Sequence, residues 1–279
     1  MRPFSTFGSR HPLATAVLIL SLAVGWFVVP LVLRGPVDVT GGTGIVDMTD
    51  LRPFIVTEGL LVVVLCFIVA LLRWGRATGL RGPVDPEGMR LALWILTPPV
   101  SIVAVSWLGF LSLEGGEGLR TSLWSIAVLS LLIGLFEELL FRGIMLHGLR
   151  SRFSAGWAII GAGLTFGLFH GANAIVGQNM TVTAIQMAGA TGLGLFFGAV
   201  AVQARSLWPA IALHALWDAF ALSAPAAFAL LPQSDTVAVP QPGLPALIMP
   251  AVLSLAAWIM YRRWCRRMKL AGSCQLRND

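Results

Sequence analysis

Eight apolar stretches, each close to the length that crosses a bilayer, dominate this chain. They run at about 13–33, 54–72, 91–113, 121–150, 155–176, 181–204, 207–230 and 244–264. A helix needs roughly 20 apolar residues to span the hydrocarbon core. No water is available there, so backbone N–H and C=O groups must be satisfied within a helix or a closed barrel. The runs are too long for barrel strands and lack alternation of period two, which leaves helices. Composition agrees: 57% of the 279 residues are hydrophobic, 11% are charged, and mean hydropathy is +0.83. A soluble domain carries roughly 25% charged residues, and a disordered chain would be polar. The expected fold is all-α: a polytopic membrane protein of about eight transmembrane helices, with residues 1–279 as a single integral membrane domain. The first run is read as a span rather than a signal peptide, because it is too long and no A-x-A-like site closes it.

Lys and Arg number 19 against 13 Asp and Glu, a formal charge of +6. That surplus need not mean nucleic acid, because cytoplasmic membrane loops collect basic residues; no nucleic-acid partner is expected. With eight spans and a cytoplasmic N-terminus, only Arg34, Arg52 and Arg120 fall outside. The other 16 of the 19 basic residues then lie on one side, a strong positive-inside asymmetry. Both termini are therefore expected in the cytoplasm. Lys269 is the only lysine; that arginine bias and the chain's compactness favour a bacterial cytoplasmic membrane.

Cys66, Cys265 and Cys274 form neither a CxxC pair nor an even framework, so no disulfide scaffold or cysteine zinc site is expected. Cys265, beside the last apolar run, is a site where acylation is conceivable, though a plain thiol is the simpler reading. Gly41, Gly42 and Gly44 have no strand before them and no helix start after, so they do not read as a phosphate loop. Pro232, Pro240 and Pro242 mark a stiff external loop. Pro98 and Pro99 fall inside the third span and should kink it.

Charge inside a span costs about 2.5–3.5 kcal/mol at the centre, so each such residue asks for a reason. Glu58 lies four residues into its span and is read as snorkelling toward interfacial water. Phe136–Gly143 places two adjacent carboxylates, Glu137 and Glu138, in an apolar helix. Glu138 and Arg142 are i,i+4 and can pair, while Glu137 is rotated about 100° away. Two adjacent carboxylates in low dielectric resist ionising together. A structural ion pair accounts for Glu138 and Arg142 but not for Glu137, which suits general acid–base chemistry. His170 stands alone in Phe166–Gly171. His214 and Asp218 are again i,i+4, an imidazole with a carboxylate that can orient it. Counting from Arg150, Arg152 and Arg205, Glu137, His170 and His214 lie roughly 20, 27 and 13 Å deep at 1.5 Å per residue. One shared site open to the cytoplasm requires tilt and turns to close that gap. His147 is read as interfacial.

These residues carry a resemblance. Glu137–Glu138–x–x–x–Arg142, Phe166–x–x–x–His170 and His214–x–x–x–Asp218, in this order on successive spans, resemble the CPBP family. Its members are CAAX-type prenyl endopeptidases and bacteriocin-processing proteins, also called ABI proteins. Ser206–Leu207–Trp208–Pro209 ahead of the third motif is similar too. The resemblance covers about 120–225, which would be the catalytic core. It implies a membrane-embedded endopeptidase acting on a peptide or protein, lipidated or not. Glu137 matches the family's catalytic glutamate and His170 its partner in activating water. His214 and Asp218 match the pair that supports the oxyanion, and Glu138 and Arg142 the supporting remainder of the first motif. Some members carry Asn at the position of Asp218. An ionised Asp cannot donate to an oxyanion, so Asp218 is expected to hold protonated His214, and His214 to donate.

Glu137, His170 and His214 would be a legitimate zinc set, but no HExxH motif is present. The favoured reading is a glutamate–water mechanism without cofactor, with zinc as the alternative. Two other functions use the same residues: a non-catalytic scaffold that binds membrane partners, and an ion or proton transporter. The absence of a two-fold repeat counts against the transporter.

Overall fold

The computed structural model describes residues 2–34, 51–112, 116–175, 177–230 and 247–270. Gly41, Gly42, Gly44, the Pro232–Pro242 loop and Cys274 lie outside them. Every regular element among the described residues is helical. In chain order these are α1 (Arg2–Arg10), α2 (Pro12–Arg34), α3 (Arg52–Leu72), α4 (Pro86–Ser112) and α5 (Gly116–Glu138). A π-helical segment (Leu139–Met145) and α6 (Leu146–Arg150) continue α5. Then come α7 (Ala155–Phe169), the short α8 (Ala172–Ile175), α9 (Met180–Ala204), α10 (Trp208–Leu230) and α11 (Ile248–Leu270). Helix α4 runs through Pro98 and Pro99 without a break in assignment.

Five stretches of the described residues are long and apolar enough to cross a membrane: Pro12–Val29, Arg52–Leu72, Leu123–Arg150, Ala155–Ile175 and Met180–Ala204. Their outer faces are those of a protein solvated by lipid. On α3, Leu60, Val63, Val64 and Phe67 are all more than half exposed, a patch that water would penalise.

Lipid tails are as apolar as leucine, so burying leucine gives little net drive to join helices in a bilayer. Close packing at small residues and polar contacts must supply the association. Both are present. Helices α7 and α9 cross at Gly163 and Gly194, where a Cβ on Gly194 would stand 2.8 Å from the Gly163 Cα. One turn on, a Cβ on Gly167 would overlap the Thr191 hydroxyl. Helices α5 and α10 meet at Gly134, where a Cβ would lie 3.1 Å from both Ala215 N and Ile211 O. The Asn173 and Gln178 side-chain amides both donate to Gln186 Oε1 at 2.9 Å, tying the turn after α7 to α9. The Asn179 carboxamide caps α9, accepting from Thr181 N–H at 2.8 Å, one of the donors a helix start leaves open.

The π-helical segment is the centre of the packing. All seven of its residues are buried. Phe136, Leu139, Leu140, Phe141 and Ile144 join Phe166 of α7, Phe197 of α9 and Ile211 of α10 in one apolar cluster. Glu138, Arg142 and His214 are therefore buried within this cluster.

A folded connection, residues 73–85, closes the arginine-rich end. Arg73 ends α3 in the left-handed region, φ 60°, with Trp74 N–H donating to Val69 O at 2.9 Å. The Gly79 carbonyl accepts from Leu207 N–H at 3.1 Å, and Asp85 N–H donates to Ala204 O at 3.0 Å. The connection is thereby bonded to the α9–α10 junction. His147 stands edge-on to Trp74 there, with ring centroids 4.7 Å apart.

Candidate active site

Glu137 and Glu138 close α5, and the widened turn that follows carries Arg142. Such single π-helical turns occur often at functional sites. Glu138 and Arg142 have no exposed side-chain surface, and their charged groups approach to 2.8 Å. The contact is an ion pair by distance without hydrogen-bond alignment, and Arg142 Nε and Nη2 have no acceptor. Aromatic faces hold the guanidinium instead. Its carbon lies 4.2 Å from the centroid of Phe166 and 5.5 Å from that of Phe197, positions where the ring quadrupole attracts a cation.

The same two rings flank His214, with centroids at 5.7 Å for Phe166 and 5.3 Å for Phe197. Its Nδ1 lies 2.7 Å from Glu138 Oε1. A carboxylate beside an arginine accepts, so Nδ1 is the donor. That assignment turns Nε2 toward the other two acids, with Glu137 Oε2 at 3.3 Å and Asp218 Oδ2 at 3.6 Å. Glu137 and Asp218 keep 12% and 18% of their side-chain surface exposed. The arrangement is graded: a sealed pair, an imidazole, and two carboxylates that keep some exposed surface. His214 Nδ1–H donates its hydrogen bond to Glu138, and Asp218 stands at the other nitrogen.

His170 is placed differently. It follows the last residue of α7, and its Nδ1 lies 3.0 Å from Phe166 O. A carbonyl only accepts, so Nδ1 donates, and neutral His170 presents Nε2 as an acceptor. Its ring stands edge-on to Phe166 at 4.9 Å, on the ring that also borders His214. Among the described residues no ion pair joins His170 to a carboxylate. Phe166 is thus the shared wall between His170 and the group around His214.

Among the described residues no three His, Cys, Asp or Glu side chains converge as a metal-ligand group. For Glu137, His170 and His214, both Nδ1 atoms are committed, to Glu138 and to Phe166 O. Only their Nε2 atoms remain for a ligand.

Glu58 is a residue that sequence reasoning placed elsewhere. Its Oε2 is buried and has no hydrogen-bond partner. The signal was available in α3. Leu51, Ile55, Glu58, Val62, Leu65, Val69 and Leu72 recur at spacings of four and three, the seam of a helix packed on a neighbour. Glu58 is the acid in an otherwise apolar seam that faces α5. Phe197 is the other omission; nothing in its local sequence distinguishes it from neighbouring Phe196.

The order and convergence of Glu137, Glu138, Arg142, Phe166, His170, His214 and Asp218 can now be set beside known proteins. Residues 119–220 match the family model described as type II CAAX prenyl endopeptidase, Rce1-like. The Rce1-like segment contains all of those residues, so the resemblance drawn from the three motifs holds where the site is built. It excludes α1 to α4 and α11, and hence Glu58. No curated protein matches the chain.

Proposed function

We propose that this protein is an intramembrane endopeptidase of CAAX-protease type that hydrolyses a peptide bond by general-base activation of water. The observation that carries the reading is His214: one nitrogen is anchored by sealed Glu138, and the other faces the partly exposed Glu137 and Asp218. The Rce1-like match over 119–220 supports the reaction class.

Glu137 takes a proton from water, and the neutral Nε2 of His170 accepts the second water hydrogen in a hydrogen bond. The water oxygen bonds to the scissile carbonyl carbon, and the carbonyl π pair moves to oxygen. Protonated His214 Nε2 donates to that oxyanion, with Asp218 and Glu138 keeping the imidazole charged and oriented. The tetrahedral carbon expels the amine, and the C–N bond breaks. Glu137 returns its proton to the leaving nitrogen. The reading needs no cofactor. It places eight spans in a bacterial cytoplasmic membrane, with both termini and the site's opening toward the cytoplasm. Residues 1–279 then act as one membrane domain around a catalytic core at about 120–225.

The test compares new protein termini in native membranes holding the wild type or Glu137→Ala at matched levels. Termini that vanish with the variant would establish proteolysis and name the substrate class. Identical profiles from a folded variant would sink the reading. They would favour the scaffold, for which the buried Glu138–His214 contact fastens α5 to α10.

A further inference from the structure

Three arginines crowd the connection after α3, and none pairs with an acid among the described residues. Among the described residues Arg73, Arg76 and Arg81 have no ion-pair partner; the pairs present join Arg142, His214 and Arg267 to acids. Yet all three line one cavity of about 660 Å³, together with Val69 and Ala70 of α3 and Leu80 of the connection. That volume is in the range of small-molecule sites. Arg73 closes α3 in the left-handed conformation.

The apolar side of the cavity continues a lane on α3. Leu60, Val63 and Phe67 are exposed, and Ala70 extends the same face into the cavity. A lane of lipid-facing side chains thus ends at three unpaired cations where the helix leaves the membrane. We propose that this cavity binds an anionic phospholipid, its phosphate held by Arg73, Arg76 and Arg81 and an acyl chain laid along the Phe67–Ala70 face. Arginine matches phosphate with paired N–H donors, and basic pockets on the cytoplasmic side of helix bundles take such headgroups.

A lipid seated there would bear on the active site through bonded contacts. Gly79 of the same connection accepts from Leu207 N–H, at the start of the helix that carries His214. Thr78 lies where a Cβ on Gly143 would come within 3.3 Å of its own, against the π-helical turn that carries Arg142. Holding the connection therefore holds both catalytic helices.

The proposal rests on the membrane reading and orientation above, but its test needs no substrate and does not depend on proteolysis. Wild-type protein in detergent is given phosphatidylglycerol or phosphatidylcholine of equal chain length, and retained lipid is counted by native mass spectrometry. At least a tenfold preference for phosphatidylglycerol is expected. Changing Arg73, Arg76 and Arg81 together to Gln should abolish that preference. Should the triple variant not fold, Ala70→Trp keeps the arginines, fills the lane from an exposed position, and should also remove it. Equal retention of the two lipids by the wild type overturns the proposal, as does undiminished preference in folded Ala70→Trp. Displacement of phosphatidylglycerol by a soluble acidic peptide would reassign the cavity to a peptide carboxylate and also overturn it.

Discussion

Glu138 Oε1 lies 2.7 Å from His214 Nδ1, a contact between residues 76 positions apart. It joins the end of α5 to α10 inside the apolar cluster, and it fixes which nitrogen of His214 faces Glu137 and Asp218. The adjacent Glu137 is the partly exposed member of the pair. Neighbours in sequence therefore take different tasks, and their substitution should separate stability from turnover.

Glu138→Ala leaves Arg142 buried without a counter-charge. Removing one partner of a buried ion pair costs about 3–5 kcal/mol. The expected result is a large fall in thermal midpoint in detergent, with loss of cleavage. Glu137→Ala leaves the Glu138–Arg142 pair in place, so it should lower the midpoint less than Glu138→Ala and still not cleave. Equal destabilisation by the two changes would contradict the division of roles.

His170→Ala removes a group whose free nitrogen is assigned to water. General acid–base groups contribute roughly 10²–10⁴-fold, so a loss of kcat in that range is expected once a substrate is known. Near-wild-type turnover would remove His170 from the mechanism. His170→Gln, which keeps a polar side chain there, should fold like the wild type.

Glu58 is a carboxylate in an apolar seam, with Oε2 buried and unpartnered. An unsatisfied buried polar group costs about 1–3 kcal/mol. Glu58→Leu should therefore raise unfolding stability by about that amount, read as a higher thermal midpoint. A lower midpoint would show that Glu58 is held by interactions the fold depends on.

Gly134 lets α5 and α10 approach. A side chain there meets backbone on both sides, with Ala215 N and Ile211 O each 3.1 Å from its Cβ. Gly134→Val should cost about 1–3 kcal/mol by overpacking and reduce cleavage by displacing Glu138 from His214. Gly189 has nothing within 4 Å of an added Cβ. Gly189→Ala should leave cleavage unchanged and gain about 0.5–1 kcal/mol from helix propensity. Matching effects at both positions would mean that close approach at Gly134 is not what aligns the site.

Much of this protein follows from local pattern. Apolar runs near 20 residues dictate helices wherever water is absent, and all regular structure among the described residues is helical. The Glu138–Arg142 pair follows from spacing on a single element, as does the sharing of one face by His214 and Asp218. Local periodicity also marked Glu58, since its place in a four-three seam outweighs its closeness to the end of a span. The rest depended on distances between elements. Depths of roughly 20 and 13 Å for Glu137 and His214 gave no reason for contact. The packing of α5 on α10, close at Gly134, sets them 3.3 Å apart. Sequence offered Asp218 as the partner of His214 because it is i,i+4; packing adds Glu138 at the other ring nitrogen, 2.7 Å from Nδ1, while Asp218 lies 3.6 Å from Nε2. The widened turn at Leu139–Met145 left no sequence mark, because no glycine or proline spacing specifies it. A chain encodes what each helix offers to its neighbours. Which offer is taken is decided only when several helices pack at once, because side chains a few ångströms apart belong to segments whose separation no single segment sets.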